Sequence, residues 1–383
     1  MGHKGGDEEG AAKDDFRIAL LRAASAPIGR HRGGTALSDD LVDEAPRPAR
    51  LVGRNAGAEP SRRPAPWWGP DGHPRTDLAV EAAAGRARTM PGVHIDESSE
   101  SGVDITRVQV LDADGERVVG KPRGTYVTLD APGLLQRDRQ MQEAVARLLA
   151  REIGRLADLR GPDSHVFVVG LGNWHATPDA LGPKVVEAVL VTRHLQGQVP
   201  ADTAGDVRPV SAIAPGVLGL TGIETSEIIR GIVDRTAPAA VIAVDALASR
   251  SIERLGRTIQ VADTGIQPGS GVGNRRAALN EETLGTKVIA VGVPTVVHAA
   301  TIASDTLDLL AENAGEPRYA ALRELRGESR RELIARVLGP AVGDLMVTPK
   351  EIDALIHDLS RVIAAGINAA VHPRVAAQEL LLA

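Results

Sequence analysis

The sequence VFVVGLGN, at residues 166–173, is a short apolar run that ends in two closely spaced glycines. A short apolar run bounded by turn residues is typical of a strand buried on both faces. Two further runs of this kind follow, at Ala240–Val244 and Lys287–Val293. Helical apolar patterns separate and follow them, at Pro183–His194, Ser226–Asp234 and Ala299–Ala311. Buried strands that alternate with helices predict βαβ units, so we expect an α/β fold with a mainly parallel central sheet flanked by helices.

The segments on either side of these units extend the same fold. Val103–Val110 alternates apolar and polar residues, as a half-buried strand does, and Tyr126–Leu129 is a second short strand candidate. Gln140–Leu159 and Pro349–Ala370 place their apolar residues at helical spacing, which predicts two amphipathic helices.

The first 75 residues have a different composition from the rest of the chain. They hold 11 Gly and 8 Pro, close to the roughly 25% level at which low-complexity disorder is expected. We therefore predict a disordered N-terminal extension over residues 1–75 and a single α/β domain over residues 76–383.

Net charge and residue content exclude several classes of protein. The formal net charge of -6 argues against direct nucleic-acid binding and against a membrane-surface role, because both need a basic face. The chain has no cysteine, so disulfides, thiolate catalysis and cysteine-ligated metals are excluded. No apolar run approaches the roughly 18 residues of a membrane helix. The N-terminal residues lack an apolar segment, so we predict neither a membrane span nor a secretory signal.

The most informative polar positions follow the buried strands, because ligands in open α/β sheets bind beyond the carboxyl ends of the strands. After the first strand, Gly170 and Gly172 permit a tight turn, Asn173 follows, and Asp179 comes just before the next helix. One interpretation makes Asp179 the N-cap of that helix. The other makes it a catalytic carboxylate, and spacing alone favours neither.

Asp245 stands where the second apolar run ends. Partial burial there raises the pKa of a carboxyl group unless a charge or hydrogen-bond donors compensate. The structural alternative is a buried ion pair with Arg250 or Arg254. Two carboxyls at neighbouring strand ends can also share one proton, so that the ionised group activates water while its protonated partner polarises a carbonyl. The residues alone therefore predict an α/β hydrolase with a candidate acidic pair.

His298 follows the third apolar run. A lone histidine at such a position is interpreted first as a structural residue, although with Asp179 and Asp245 it would make a divalent-metal site. The glycine-rich segment 265–274 lacks the residues of a phosphate loop and the spacing of a dinucleotide turn. This favours a substrate-contacting or structural loop.

Longer motifs carry a specific resemblance. They are RTDLAVEA at 75–82, the segment 170–183, RPVSAIAPG at 208–216, GIETS at 222–226, DALASRSIER at 245–254, the segment 265–274 and MVTPKE at 346–351. On these motifs the chain, from Arg75 to about His372, resembles the germination protease family of spore-forming bacteria. The resemblance implies an α/β fold similar to the hydrogenase maturation proteases, and an endopeptidase that degrades small acid-soluble spore proteins at germination.

The resemblance also assigns site residues. The family's two catalytic aspartates correspond to Asp179 and Asp245. We expect the site to be supported by Gly170, Gly172, Asn173, Arg250 and His298. In this leading interpretation the enzyme needs neither a metal nor another cofactor.

The family further implies a life cycle. Its members are homotetramers that are made as zymogens in the developing spore, which implies a cytoplasmic, spore-core location. They lose their propeptide within a Thr-Asp-Leu-Ala-x-Glu motif, which is met here at Thr76, Asp77, Leu78, Ala79 and Glu81. We therefore predict self-cleavage between Asp77 and Leu78.

Two alternatives stay open. The first is a metal-dependent endopeptidase resembling the hydrogenase maturation proteases, in which Asp179, Asp245 and His298 would bind a metal ion. The second is a non-catalytic binding protein on the same fold. Retention of both aspartates and of the self-cleavage motif argues against the second alternative.

Overall fold

The computed structural model describes residues 75–372, apart from residues 84–89, 160, 162, 197–206, 270–275, 314–328, 330, 331, 335 and 339–344. The extension predicted over residues 1–75 thus lies, up to residue 74, outside the described residues. So do residues 373–383 of the predicted α/β domain.

The described strands form one nine-stranded sheet. Their bounds are β1 Val93–Glu100, β2 Val103–Val110, β3 Gly124–Asp130, β4 Val166–Gly170, β5 Val210–Ile213, β6 Ala240–Ser249, β7 Thr258–Ala262, β8 Lys287–His298 and β9 Met346–Val347. The order across the sheet is β1-β2-β3-β7-β8-β6-β4-β5, and the short β9 pairs with β8. The predicted strands β2 and β4 are confirmed at both ends.

The sheet is mixed, which corrects the prediction of a mainly parallel sheet. Strands β8, β6, β4 and β5 are parallel neighbours, whereas β1, β2, β3, β7 and β8 pair antiparallel. The prediction was wrong because it counted mainly strongly apolar runs. β1 has the polar sequence VHIDESSE and is largely exposed, and β7 includes two polar residues although it is fully buried.

The helices lie at Ala79–Ala83 (α1), Ala113–Val119 (α2), Arg139–Ala157 (α3), Leu181–Ala188 (α4), Leu218–Thr221 (α5), Thr225–Thr236 (α6), Glu281–Leu284 (α7), Ala299–Asn313 (α8) and Ile352–Val371 (α9). The helices predicted near α3, α6, α8 and α9 are confirmed within a few residues. α4 ends before the predicted His194, because the backbone is extended at Val189 and the Thr192 amide then bonds the Val210 carbonyl of β5.

Both faces of the parallel half of the sheet are covered. On β4, Val166 and Val168 belong to a core shared with α3, α4 and α9, whereas Phe167 and Val169 belong to a core shared with α6. A strand buried on both faces needs apolar side chains at every position. This packing explains the uninterrupted apolar run at residues 166–169.

By length and composition, helix α9 is long and apolar enough to cross a membrane. Of its most apolar window, 61% is buried inside the protein, and Ile356 and Ile363 are fully buried in the core. The apolar surface of α9 is therefore accounted for by packing against α3 and α4.

β6 is longer than its apolar run and continues to Ser249. Asp245 is thus inside the strand, paired with Gly292 of β8, and not after the strand as predicted. Its neighbour β4 ends at Gly170, which pairs with Val244. Asp245 is therefore the first residue of β6 that lies beyond the end of β4 and is not paired with it.

Candidate active site

A cavity of about 1090 Å³ lies beyond the end of β4 and along β6, β7 and β8. Its described lining includes both candidate aspartates, Asp179 and Asp245, and also Asp77 of the predicted cleavage motif. The cavity thus sits where the parallel half of the sheet meets the antiparallel half. This junction leaves space because β4 stops while β6 and β8 continue.

The turn after β4 positions Asp179. Asp179 ends a short 3-10 helix, Thr177–Asp179, and its Oδ2 accepts a 2.9 Å hydrogen bond from the Asn173 backbone amide. Gly172 has φ +116°, and a Cβ there would lie 2.0 Å from the Asp179 carbonyl oxygen. Only glycine fits at position 172 without moving the carboxylate-bearing segment.

The same turn brings β4 close to α4. A Cβ on Gly170 would lie 2.2 Å from the Gly182 carbonyl oxygen, so the absent side chain allows strand and helix to touch. The N-cap position of α4 is Ala180, which makes no side-chain capping bond. The interpretation of Asp179 as the helix cap is therefore wrong, and its carboxylate faces the turn at Asn173 instead.

Asp179 lies in a low-polarity setting. Burial raises the pKa of Asp179 to about 6, against the opposing hydrogen bond from the Asn173 amide. An ordinary aspartate titrates near pH 4. This carboxyl group consequently changes its charge close to neutral pH, which suits a group that takes or gives protons.

Asp245 is more deeply buried, with only 6% of its surface exposed. Burial raises its pKa well above the ordinary range, and the charges of Asp179 and Asp77 raise it further, while a hydrogen bond from the Ala246 amide opposes the shift. The negative charge of Asp179 thus favours the protonated form of Asp245.

The predicted cleavage motif is intact and docked beside these acids. Leu78 is fully buried, and the Asp77 amide and carboxylate both bond Ala248 of β6, at 2.9 Å each. Glu81 is 4% exposed, and its carboxylate accepts from the Arg250 and Ser251 amides at 2.7 and 2.9 Å.

The peptide bond between Asp77 and Leu78 is held on both sides. The Asp77 carbonyl oxygen accepts from Lys121 Nζ at 3.1 Å and from Gln260 Nε2 at 3.3 Å. The Leu78 amide donates to the Thr76 hydroxyl at 3.0 Å, and that hydroxyl donates to the Glu81 carboxylate. The threonine and glutamate of the motif thereby fix the orientation of this one bond.

The remaining predicted site residues differ in whether they line the cavity. Arg250 lines the cavity. His298 is absent from the described lining, and its Nδ1 accepts from the Ala300 amide at the start of α8. Arg254 forms ion pairs with Glu81 and Asp130 at 3.5 and 3.6 Å, so the interpretation that paired it with Asp245 is wrong.

The described residues contain no group of three or more His, Asp or Glu side chains placed to hold a metal ion. The triad of Asp179, Asp245 and His298 considered from the sequence is thus not assembled. The arrangement that the structure does assemble is an acidic pair with a peptide bond beside it.

Two residues of this cavity were missed by sequence reasoning, namely Lys121 and Gln260. Lys121 follows Gly120, the left-handed C-cap of α2, and Gln260 lies in the middle of β7. Neither belongs to a motif with a known chemistry. Gln260 is 183 residues from Asp77 along the chain, so only the folded chain brings them together.

Comparison with known proteins gives a consistent result. A sequence profile of the family described as germination protease matches residues 76–320 and 318–381. The chain is 52% identical over 313 residues to the germination protease of Caldanaerobacter subterraneus subsp. tengcongensis, covering 80% of this chain and 96% of that protein. The germination protease of Clostridium tetani is 45% identical over 317 residues, covering 80% of this chain and 98% of that protein.

Among solved structures, a NiFe hydrogenase maturation protease from Thermococcus kodakarensis is similar over 56% of this chain and 98% of its own. Its sequence identity is 18% and the TM-score is 0.26. A similarity this weak adds nothing to the description of the site.

Proposed function

The chain belongs to the germination protease family, and from this premise we propose that it degrades small acid-soluble spore proteins with Asp179 and Asp245 as its catalytic acids. One observation carries the proposal. Both acids line the same cavity as Thr76 and Asp77 of the intact motif, whose Asp77–Leu78 bond is the one that the family resemblance marks for cleavage. The protein thus holds a candidate substrate sequence of its own beside its candidate catalytic groups.

The environments of the two acids suggest different roles for them. With a pKa of about 6, Asp179 is mostly ionised at neutral pH and accepts a proton from the attacking water. Burial and neighbouring negative charge keep Asp245 protonated. Asp245 then supplies a proton to the substrate. The pair returns to its starting state when the proton that Asp179 took from water moves to Asp245.

The contacts of the docked motif also support a substrate sequence. They place one acidic residue directly before the cut, where Asp77 bonds the Ala248 amide. They place a second four residues later, where Glu81 meets the Arg250 and Ser251 amides and Arg254. A spore-protein segment such as Thr-Glu-Phe-Ala-Ser-Glu has acids at both of these positions and an apolar residue where Leu78 is buried.

The same docking supports a zymogen. The uncut segment occupies the cavity that a second polypeptide would have to enter, so the chain is inactive toward other substrates until the Asp77–Leu78 bond is cut. Assembly as a homotetramer and a location in the spore core are parts of the same proposal and rest on the family resemblance alone.

The test uses the full chain as wild type, Asp179→Asn and Asp245→Asn, with Asp104→Asn as the matched control. Asp104 is an exposed residue of β2. Asparagine keeps the shape of aspartate but cannot act as a base. Each protein is incubated with a peptide containing Thr-Glu-Phe-Ala-Ser-Glu, and both the peptide and the N-terminus of the protein are read by mass spectrometry.

We expect the wild type and Asp104→Asn to acquire Leu78 as their N-terminus and to cut the peptide after its first Glu. The two active-site variants should do neither. Normal rates in either variant would overturn the acid pair, and a mature N-terminus other than Leu78 would overturn the cleavage site. Loss of wild-type activity with a chelator, restored by a divalent ion, would favour the metal-dependent alternative.

A further inference from the structure

Lys121 and Gln260 converge on one atom, the carbonyl oxygen of Asp77. Their nitrogens lie 3.1 and 3.3 Å from this oxygen. Lys121 also donates to the preceding carbonyl, that of Thr76, at 3.1 Å. Two side-chain donors on the carbonyl oxygen of one particular peptide bond are more than docking of the segment requires, since the Asp77 amide and carboxylate are already held by Ala248.

The two donors are held in place by their surroundings. The Gln260 side chain is 9% exposed, and its Oε1 accepts from the Ala79 amide at 2.7 Å. Because the oxygen of that amide group is engaged, its NH2 group is turned toward the Asp77 carbonyl. Lys121 is followed by Pro122, whose carbonyl oxygen accepts from the Tyr126 hydroxyl at 2.8 Å, so the segment that carries the lysine is anchored to β3.

The electrostatic environment of Lys121 also suits a donor to a developing negative charge. Burial lowers the pKa of Lys121, whereas the negative charges of Asp77 and Glu81 oppose that shift. A nitrogen donor in a partly buried site competes with less water than one at the surface, so its interaction with a developing negative charge is stronger. Preorganised donors of this kind supply a large part of the rate enhancement in acyl transfer.

We propose that Lys121 and Gln260 form the oxyanion site of this protease. The inference rests on the proposed function, because it takes the Asp77–Leu78 bond as the bond that is cut. It also changes the role expected of Asp245. If these two residues polarise the carbonyl, the proton of Asp245 is left for the leaving nitrogen.

The oxygen of water adds to the carbonyl carbon of Asp77 as Asp179 takes one proton from it, and the π electrons of the carbonyl move onto the oxygen held by Lys121 and Gln260. When the carbonyl re-forms, the bond to the Leu78 nitrogen breaks and that nitrogen takes the proton of Asp245. The products are a carboxyl group on Asp77 and an amine on Leu78.

The test measures self-cleavage in the full chain as wild type, Lys121→Met and Gln260→Met. Methionine has about the length of both side chains and removes their donors; in Gln260→Met it also removes the acceptor of the Ala79 amide. Lys287→Met is the matched control, because Lys287 is also partly buried but lies at the start of β8, at the opposite end of that strand from the end near the cavity. The rate constant is read from the appearance of the Leu78 N-terminus by mass spectrometry.

A second measurement separates catalysis from docking. Hydrogen exchange of the peptide that contains residues 76–83 is compared between Lys121→Met and Asp245→Asn, which stays uncut under the proposed function. If the lysine only anchors the segment, its loss will undock the segment and exchange will speed up. If the lysine stabilises the oxyanion, the segment will stay protected.

We expect Lys121→Met to slow self-cleavage about 100-fold or more, the size found when one oxyanion donor is removed, with protection retained and Lys287→Met unchanged. A Lys121→Met rate within about threefold of the wild type would overturn the inference, as would a slow rate accompanied by lost protection. Should Asp245→Asn also cut at the wild-type rate, the proposed function itself fails. If that variant is inactive and Lys121→Met is normal, only the oxyanion site is wrong.

Discussion

Asp179→Asn should make the protein more stable while it abolishes cleavage. The pKa of Asp179 is raised from 3.8 to about 6 in the folded protein. The folded state therefore binds this proton more tightly than the unfolded state, so the wild type loses stability as the pH rises from about 4 to about 6. Asparagine has no such proton and escapes the loss.

The magnitude follows from the shift. At about 1.4 kcal/mol for each pKa unit, the change amounts to about 3 kcal/mol above pH 7. Because Asp179 keeps part of its surface in water, screening reduces the expected gain to about 2 kcal/mol. Asparagine can still accept the hydrogen bond from the Asn173 amide. Removing the Asp179 charge also removes one of the causes that raise the pKa of Asp245.

Urea unfolding at pH 4, 5, 6 and 7.5 measures this gain, with each sample confirmed as uncut by mass spectrometry beforehand. The difference in free energy of unfolding between Asp179→Asn and the wild type should be near zero at pH 4 and reach its full value by pH 7. Asp104→Asn should show no comparable pH-dependent gain. A variant that is less stable than the wild type, or a difference that does not change with pH, would refute the reasoning about burial.

Three further predictions test other parts of the site. The rate of self-cleavage should rise with pH through about 6, as Asp179 ionises, when followed by mass spectrometry across a pH series; a flat profile contradicts the base role. Arg254→Met should slow cleavage of a peptide with Glu at the position of Glu81 by up to about fivefold and leave the matched Gln peptide unaffected, because the ion pair contributes only to the former. Gly172→Ala should abolish activity and lower the free energy of unfolding by more than about 1 kcal/mol, whereas Gly231→Ala, with nothing within 4 Å of its added Cβ, should raise it by about 0.5 to 1 kcal/mol; equal effects of the two substitutions would refute the steric argument.

The elements that the sequence predicts well are those whose environment is uniform along their length. Strand β4 is buried on both faces at every position, so its apolar run marks both of its ends. α9 was found as well, because its apolar residues from Ile352 to Ile363 repeat at helical spacing, although residues 362–368 are all buried. The prediction fails at β1, an edge strand in which only Val93 and Ile95 are partly buried, and at β6, whose last residues include Asp245 and Ser249.

The residues of the candidate site also differ in how well the sequence predicts them. Asp179 could be found because the glycines before it predict a tight turn. Asp245 could be found because a charged residue at the end of an apolar run is unusual. Lys121 and Gln260 carry no such signal, since a lysine before a proline and a glutamine in a strand are ordinary. Their convergence on Asp77 depends on the antiparallel pairing of β3 and β7, which local sequence does not specify.

The burial of Leu78 and Glu81 has a consequence for the enzyme after its first turnover. These residues lie on the side of the cut that stays with the protein. Cleavage at Asp77 would release the preceding segment but leave the other half of the reaction product covalently attached, with its new amine in the cavity.

A tethered product has an effective concentration on the order of millimolar. Every later substrate would compete with it, and its Glu81 would have to release the Arg250 and Ser251 amides before a substrate glutamate could take its place. The processed protein would then be an active protease whose rate is limited by competition from its own N-terminus. Its activity in the cell would follow whatever condition loosens α1, rather than the moment at which the chain is cut.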